Sequence, residues 1–266
     1  MTRTFFTALA SVSLLALAPT GSALAQDSDR EQESLANPDS AFKGDGRRAS
    51  YHADIERTER GHLIGNPDAD TSLIEFVSYT CGHCASFTRE GEGALDMILL
   101  APGKMNLEIR PVIRNVLDLT VSMLVQCGPV DGFKNRHRMY MLSQDDWLEQ
   151  ARSAPASQQA LWARGDASAR LSAARALDLD DMLAKRGTSI ADINTCLADE
   201  DAALALIGAG NADRDEFAIP GTPSFALDGE LLTSVHSWDA LQPVLLERFS
   251  TRPSTSHKLG VQDPES

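Results

Sequence analysis

Apolar and polar positions in the first half of this 266-residue chain alternate between strand and helix periodicity. The apolar run at residues 73–77 predicts a buried strand, and the alternation at residues 105–112 predicts a second one. Residues from about 81 to 100 are compatible with a helix between these strands. Gly91 and Gly93 lie inside that segment, so we expect a bend or a weak point there.

The middle of the chain has helical spacing and no strand pattern. Leu117, Val121 and Leu124 recur at the intervals of one helix face. Segments rich in Ala, Leu and acidic residues continue this pattern to about residue 211. The pattern predicts an all-helical insertion of roughly 90 to 100 residues, within the size of an independent domain. We assign residues 115–213 to it.

Strand signals return after the insertion. Residues 224–227 and 230–233, separated by Asp228–Gly229, predict a hairpin with a two-residue turn. Amphipathic spacing at residues 238–249 then predicts a final helix. The two parts of the chain that flank the insertion, residues 51–114 and 214–249, should together form one mixed sheet with flanking helices, which places the chain in the α/β class.

Two shorter segments precede the first buried strand. Weak alternation at residues 51–57 predicts a short edge strand. Residues 62–70 contain the breaker pair Asn66–Pro67 and predict a turn.

Both ends of the chain have patterns that fall outside the folded domain. Residues 1–25 carry Arg3, an apolar core and a closing Ala23–Leu24–Ala25, which is typical of a secretory signal peptide cleaved after Ala25. The apolar core is shorter than the roughly 20 residues that span a bilayer. We therefore expect an exported, periplasmic protein, with a disordered leader at residues 26–50 and a disordered tail at residues 250–266.

Charge and cysteine content narrow the functional classes. The chain has 24 basic and 38 acidic residues, a net charge of −14, which argues against binding to nucleic acid or to anionic membranes. Its four cysteines would enter an oxidising compartment on export, and an even number fits two pairs. A bond between Cys127 and Cys196 would close a loop of about 70 residues, worth roughly 4 kcal/mol in the chain-entropy model. The alternative is two separate buried thiols.

The other two cysteines lie where the first strand meets the first helix, in Cys81–Gly82–His83–Cys84. Cysteines three residues apart share one helix face, so their sulfurs can bond or separate. Unpaired N–H groups and the dipole at a helix N-terminus favour a thiolate on Cys81, and His83 adds a nearby imidazolium. We expect Cys81 to be the exposed nucleophile and Cys84 the buried partner. A lowered thiol pKa makes the disulfide more oxidising.

Two further residues are candidates for this chemistry. Glu75 interrupts the apolar strand, and in a central strand its buried carboxyl would have a raised pKa and could exchange a proton with Cys84. The alternative is a glutamate at a strand end that reaches solvent. Pro223 opens a strand after Gly221–Thr222 and is a candidate for a cis peptide bond in a tight turn.

Together these motifs resemble those of the DsbA-type thiol–disulfide oxidoreductases of the thioredoxin-fold superfamily. The resemblance extends over residues 51–249 and implies a thioredoxin-like sheet with an inserted helical domain. The residues that carry it are Glu75–Phe76, Cys81–Gly82–His83–Cys84, Gly221–Thr222–Pro223–Ser224–Phe225, Asp228–Gly229 and, before the first buried strand, Gly65–Asn66–Pro67–Asp68–Ala69.

The resemblance assigns a role to each site residue. It implies that Cys81 is the nucleophile, Cys84 the resolving cysteine and His83 the residue that stabilises the thiolate. By the same resemblance Glu75 is a buried proton relay. Thr222 would present its backbone to a client peptide beside a cis Pro223. The second cysteine pair, Cys127 and Cys196, would form a structural disulfide in the helical domain, as in a subset of the family.

The resemblance also implies a function. The chain would introduce disulfides into reduced client proteins with its redox-active disulfide as the only cofactor, and a membrane quinone-linked thiol oxidase would reoxidise it. The Gly82–His83 dipeptide departs from the Pro–His of the strong bacterial oxidants and resembles protein disulfide isomerase, so we expect a weaker oxidant. A reductase or isomerase, and a chaperone-like peptide-binding module without redox activity, remain as alternatives.

A zinc site is the main chemical rival for Cys81, His83 and Cys84. Structural zinc usually has four ligands, and the sequence has no second Cys-x-x-Cys or His pair, so we predict no metal. The remaining histidines, which include His62 and His137, have no motif around them and should lie on the surface. The basic residues at 134, 136 and 138 are interpreted as a solvated helix face.

Overall fold

Six strands form one mixed sheet in the computed structural model, which describes residues 50–250. The predicted signal peptide and nearly all of the predicted leader and tail lie outside these residues. The strands are β1 (Ile55–Arg57), β2 (His62–Gly65), β3 (Ser72–Val77), β4 (Asn106–Pro111), β5 (Ser224–Leu227) and β6 (Glu230–Leu231), in the spatial order β1-β2-β4-β3-β5-β6. β3 is parallel to β4 and antiparallel to β5, so it lies at the centre of the sheet.

The period-two alternation of β3 sends its side chains to two different cores. Leu73 and Val77 belong to the large core, which includes the helices that follow β3. Ile74 and Phe76 point to the other face, where the partly buried Phe217 and Ile219 cover them. Glu75 therefore faces the same side as the active-site helix.

The segment from 81 to 100 is helical but not continuous. It consists of α1 (Gly82–Glu90), α2 (Glu92–Leu95) and a π-helical turn (Asp96–Leu100). The predicted weak point is confirmed at Gly91, where α1 ends, and a Cβ there would lie 2.7 Å from the Trp238 ring. Close approach of that ring thus requires glycine at this position. Gly93 lies within α2 and has open space around it.

The prediction of a turn at residues 62–70 is wrong in its first part, because residues 62–65 form β2. β2 pairs antiparallel with both β1 and β4. This strand depends on long-range pairing, which the local breaker residues at 66–67 conceal. The predicted edge strand is present as β1, and the second strand of the predicted hairpin is shorter than expected.

Eight α-helices form the middle of the described chain, as the helical periodicity predicts. They are α3 (Val116–Gln126), α4 (Phe133–Leu142), α5 (Gln144–Ser153), α6 (Ala156–Trp162), α7 (Ala167–Ala176), α8 (Leu179–Ala184), α9 (Ile190–Ala198) and α10 (Glu200–Phe217). Asn115, Asp166, Ser189 and Asp199 cap four of them by accepting hydrogen bonds from first-turn N–H groups. α11 (Trp238–Ser250) follows the hairpin.

The predicted α/β class, with a mixed sheet and an inserted group of helices, is confirmed. Cys127, at the end of α3, is bonded to Cys196 in α9, with a Cα–Cα distance of 5.9 Å. Among the helices of residues 50–250, none has the length and apolar character needed to cross a membrane.

Candidate functional site

The cysteine motif lies at the junction of β3 and α1. Cys81 is the N-cap of α1 in an extended conformation, and Cys84 lies one turn into the helix. Both are free thiols. Cys81 is 7% exposed and Cys84 is fully buried, so Cys81 is the sulfur nearer to solvent, although it is less exposed than the sequence predicts.

The Cys81 thiol lies among groups that favour its ionised form. The pKa of Cys81 is lowered to about 5. The largest cause is a hydrogen bond with the Cys84 thiol, followed by the Thr222 side chain and the backbone N–H groups of Cys84 and His83. Burial acts in the opposite direction and raises the pKa. At neutral pH Cys81 is therefore a thiolate, which is the nucleophilic form of a cysteine.

The predicted role of His83 is only partly visible in this geometry. Its backbone N–H is one of the groups that stabilise the Cys81 thiolate, while its side chain is exposed in the first turn of α1. Action of the imidazolium itself stays a prediction.

Cys84 and Glu75 have the opposite character. Burial, the hydrogen bond to Cys81 and the charges of Cys81 and Glu75 raise the pKa of Cys84 well above its usual value. Glu75 is fully buried in the central strand, and burial and the charge of Glu92 raise its pKa well above the usual range. The alternative of a glutamate that reaches solvent is therefore wrong. A protonated carboxyl lies near a cysteine that favours its thiol form.

Opposite the motif, the Thr222–Pro223 peptide bond is cis. Cys81 Sγ lies 3.0 Å from the Thr222 carbonyl oxygen, a hydrogen bond that the protonated form of the thiol donates. The carbonyl oxygen of Pro223 is 2.8 Å from Nδ1 of His236, in the loop after the hairpin. The structure thus brings Thr222 and Pro223 against the nucleophile.

The turn before Cys81 is fixed by a buried carboxylate that the sequence did not identify. Asp118, in the first turn of α3, accepts hydrogen bonds from the Ser78 hydroxyl (2.7 Å) and from the N–H (2.8 Å) and hydroxyl (2.9 Å) of Thr80. It also accepts from the Arg114 backbone N–H at 3.0 Å. These contacts set the direction in which the chain enters α1.

Gln144 is a second residue from the helical insertion that holds this turn. Its Nε2 donates to the carbonyl oxygens of Tyr79 (2.7 Å) and Cys81 (3.0 Å), and the side chain is fully buried. Gln144 is more than sixty residues from the cysteines in sequence, so no local motif identifies it. Only the fold brings it next to them.

A buried polar chain extends from the turn to α2. The Tyr79 hydroxyl and His137 Nδ1 are 2.9 Å apart, and His137 Nε2 donates to Glu92 at 2.8 Å. Arg138 also donates to Glu92, at 2.9 Å. His137 is fully buried.

The predictions of surface histidines at 62 and 137, and of a solvated basic face at 134–138, are therefore wrong. His62 is buried against the Phe133 ring, and Arg136 is buried with its guanidinium bonded to backbone carbonyls. Lys134 pairs with Asp96. Helical spacing could not reveal that this face of α4 packs against α2 and the active-site helix.

Within residues 50–250, no group of three or more His, Cys, Asp or Glu side chains is arranged to hold a metal ion. The Cys127–Cys196 disulfide lies within the helical insertion, where it joins the end of α3 to α9.

A groove of about 490 Å³ begins beside the motif, at Thr80. It extends between α3 and the helices α5 and α6, and its lining is mainly apolar, with Val116, Leu148 and Trp162 in the wall and Arg152 among the polar residues. A surface of this kind could contact an extended polypeptide next to Cys81.

Comparison with known proteins agrees with this geometry. The thioredoxin family model matches residues 57–247. A crystal structure described as protein-disulfide isomerase from Novosphingobium aromaticivorans is 36% identical, covers 71% of this chain and 97% of its own, and superposes with a TM-score of 0.69. Wolbachia pipientis α-DsbA1 is 19% identical, with 71% and 90% coverage and a TM-score of 0.56, and it supports the fold alone.

Curated relatives match a shorter stretch. A Rickettsia typhi protein named as a protein-disulfide oxidoreductase is 28% identical over 86 residues, which is 32% of this chain and 32% of the relative. The Rickettsia conorii protein of the same name is 27% identical over 86 residues, 32% and 31% of the two chains. The match therefore spans about a third of these relatives. The family model covers most of the described residues, including Cys81, Cys84 and Pro223. The chain therefore belongs to the thioredoxin family.

Proposed function

We propose that this chain is an exported thiol–disulfide oxidoreductase of the DsbA type that introduces disulfides into reduced client proteins. The observation that carries the proposal is the pair of unlike thiols. Cys81 at the helix N-terminus has its pKa lowered to about 5, whereas the pKa of buried Cys84 is raised. A thiolate stabilised in this way is a good leaving group, and it stabilises the reduced enzyme relative to the disulfide.

The reaction follows from these roles. A client thiolate attacks Cys81 Sγ in the Cys81–Cys84 disulfide, and the S–S electron pair goes to Cys84, which takes up a proton. A second client thiolate then attacks the client sulfur of the mixed disulfide, and Cys81 leaves as a thiolate. The client gains a disulfide and the enzyme holds two reduced cysteines. The chemistry needs no cofactor beyond this cysteine pair.

Client recognition would use the surfaces on two sides of Cys81. The backbone of Thr222, which lies against Cys81, would form hydrogen bonds with an extended client chain, and the groove that begins at Thr80 would supply apolar contacts. Partners of these surfaces would be unfolded or reduced proteins in the periplasm. A membrane quinone-linked thiol oxidase would return the cysteines to the disulfide.

The pH dependence of alkylation tests the proposal. The reduced wild-type protein is treated with iodoacetamide between pH 3 and 9, and the modified Cys81 peptide is quantified by mass spectrometry. We expect the rate to follow a titration with its midpoint at about 5. The same protein in denaturant is the control and should titrate near the ordinary cysteine value of about 8.5. A midpoint near 8.5 in the folded protein as well would refute the proposal and favour a binding module without redox activity.

Variants of the two cysteines test the mechanism. Cys81→Ser should abolish oxidation of a reduced client peptide. With a disulfide-bonded client peptide, Cys84→Ser should accumulate mixed disulfides. The Cys81 thiolate attacks the client disulfide and releases one client thiolate, and the variant has no Cys84 thiol to resolve the new bond. Full oxidising activity in Cys81→Ser would contradict the assignment.

A disulfide isomerase is the second candidate. Two observations favour it, namely the Gly82–His83 dipeptide and the similarity to a protein described as protein-disulfide isomerase. The Cys81 pKa of about 5 lies between the values of about 3.5 for a strong oxidant and about 7 for thioredoxin. Equilibration with glutathione buffers would separate the candidates, since an oxidase should have a potential closer to about −120 mV than to the −180 mV of an isomerase.

A further inference from the structure

The backbone carbonyls at the start of β5 point alternately to its two sides. In an antiparallel pair, successive residues turn their hydrogen-bonding groups in opposite directions. The Phe225 carbonyl oxygen faces β6 and accepts a hydrogen bond from the Leu232 N–H at 2.8 Å. Two residues earlier, the Pro223 carbonyl oxygen faces the same side. The Thr222 carbonyl oxygen faces the other side, where it lies 3.0 Å from Cys81 Sγ.

Strand β6 ends before it can supply a donor for the Pro223 carbonyl. In the register of the β5–β6 pair, the N–H opposite Pro223 would be that of Ser234. Ser234 instead has a positive φ of 62°, so the chain leaves the strand direction there. The imidazole of His236 takes the place of the missing donor, with Nδ1 2.8 Å from the Pro223 carbonyl oxygen. A carbonyl oxygen can only accept, so Nδ1 carries the hydrogen in this contact.

This contact restrains the one backbone angle by which the Pro223 carbonyl can turn. The proline ring fixes its own φ at about −65°, so ψ is the remaining freedom. A second hydrogen bond, from the Ser224 hydroxyl to the Gly221 carbonyl at 2.8 Å, lies within the loop itself. The imidazole instead comes from the segment after β6 and holds the loop on the side that faces away from Cys81. Restraint at Pro223 therefore sets the direction in which Thr222 leaves β5.

We propose that His236 is a positioning residue for disulfide exchange: its Nδ1–H holds the Pro223 carbonyl and so keeps the Thr222 backbone in place for a client chain beside Cys81. This inference rests on the proposed function, in which an extended client pairs with Thr222. A client that forms a mixed disulfide with Cys81 must bring its own backbone alongside this segment. A fixed Thr222 lowers the entropy that such pairing costs.

Exchange rates with two different thiols test the inference. The Cys81–Cys84 disulfide is reduced by a short synthetic peptide with one central cysteine, which has a backbone to pair, or by 2-mercaptoethanol, which has none. The rate with 2-mercaptoethanol is the reference for the reactivity of Cys81. In His236→Phe the ratio of the peptide rate to this reference should fall about fivefold, the effect of losing one ordinary hydrogen bond. In His236→Asn the amide nitrogen can replace Nδ1, and the ratio should stay within about twofold of the wild-type value.

Ser237→Ala is the matched control. Ser237 is the exposed neighbour of His236, and its Oγ accepts a hydrogen bond from the Ala240 N–H in the first turn of α11 at 3.3 Å. Loss of this contact should weaken the start of the helix and lower the stability of the protein, while the ratio of the two rates stays unchanged. The control thus separates a general loss of stability from loss of the Pro223 contact.

A wild-type ratio in folded His236→Phe overturns the inference, whether neither rate changes or both fall together. If that variant does not fold, the wild-type protein decides. Its ¹⁵N imidazole signals at pH 8 should show His236 protonated at Nδ1, and a proton on Nε2 alone overturns the inference equally. A Cys81 thiol with an ordinary pKa would instead refute the proposed function.

Discussion

Replacing His62 with phenylalanine should remove a specific acid sensitivity from this fold. His62 is buried in β2, its ring stacks on Phe133 with centroids 3.7 Å apart, and neither ring nitrogen has a partner in the described part of the chain. Burial, together with the charges of Arg57, Arg136 and His137, lowers its pKa from 6.5 to about 3. The folded protein therefore holds this imidazole neutral under conditions in which the unfolded chain protonates it.

The sign and size of the effect follow from that difference. The unfolded state binds more protons between the two pKa values, so stability is lost as the pH falls from about 6.5 toward about 3. At pH 5 the imidazole of the unfolded chain is about thirty times more often protonated than neutral, and this lowers the free energy of unfolding by about 2 kcal/mol. At pH 7 the loss is only a few tenths of a kcal/mol. His62→Phe keeps a stacked ring and abolishes the titration.

Urea unfolding of the oxidised protein at pH 7 and pH 5 measures this difference. The oxidised form is used because Cys81 then does not titrate in the same range. The stability gain of His62→Phe over the wild type should be about 2 kcal/mol larger at pH 5 than at pH 7. His52→Gln, which removes an exposed imidazole, should show no such change. Equal gains for His62→Phe at the two pH values would refute a buried neutral histidine.

Three further substitutions have defined outcomes. Glu75→Gln should stabilise the protein at pH 7 but not at pH 4, because the raised pKa of the Glu75 carboxyl gives stability that is present below about 4.5 and lost as the pH rises. Urea unfolding midpoints at both pH values measure this difference, and an equal effect at both would contradict it. Gln144→Leu should lower the free energy of unfolding in urea by roughly 2 kcal/mol, because two buried carbonyls of the active-site turn lose their hydrogen-bond donor. Gln150→Leu, on the exposed side of α5, should cost little. Equal losses in the two variants would show that the Gln144 hydrogen bonds do not stabilise the turn. The double variant Cys127→Ala/Cys196→Ala should lose about 4 kcal/mol and keep its alkylation profile at Cys81, and a shifted profile would show that the bond also supports the site.

Local patterns were sufficient where a structural element depends on its own residues. The apolar run of β3, the glycine at 91 and the turn of the β5–β6 hairpin each specify local geometry, and the predicted elements appear there. β2 was missed because its strand character comes from pairing with β1 and β4 on both sides. Only long-range contacts distinguish it from the turn that its flanking residues suggest.

The same distinction separates the predicted from the missed parts of the site. Cys81, Cys84 and Glu75 lie within ten residues of one another, and strand and helix periods place them together. Gln144 and His137 come from the insertion, and no spacing rule connects them with the cysteines. The sequence predicts His137 at the surface because no motif surrounds it, whereas the structure buries it fully.

These missed residues change how the motif itself is interpreted. The Gly82–His83 dipeptide suggested a weaker oxidant, but the groups that lower the Cys81 pKa are chiefly the Cys84 thiol, Thr222 and backbone N–H groups. A Cβ at Gly82 would meet only Gln144 Oε1, at 4.0 Å, so the position does not require glycine. The Gly82–His83 dipeptide is thus one of several features that set the pKa of Cys81. Gln144 and Asp118 hold the turn that carries Cys81. We therefore expect variants of these two residues of the helical insertion, as well as variants of the dipeptide, to change the redox potential.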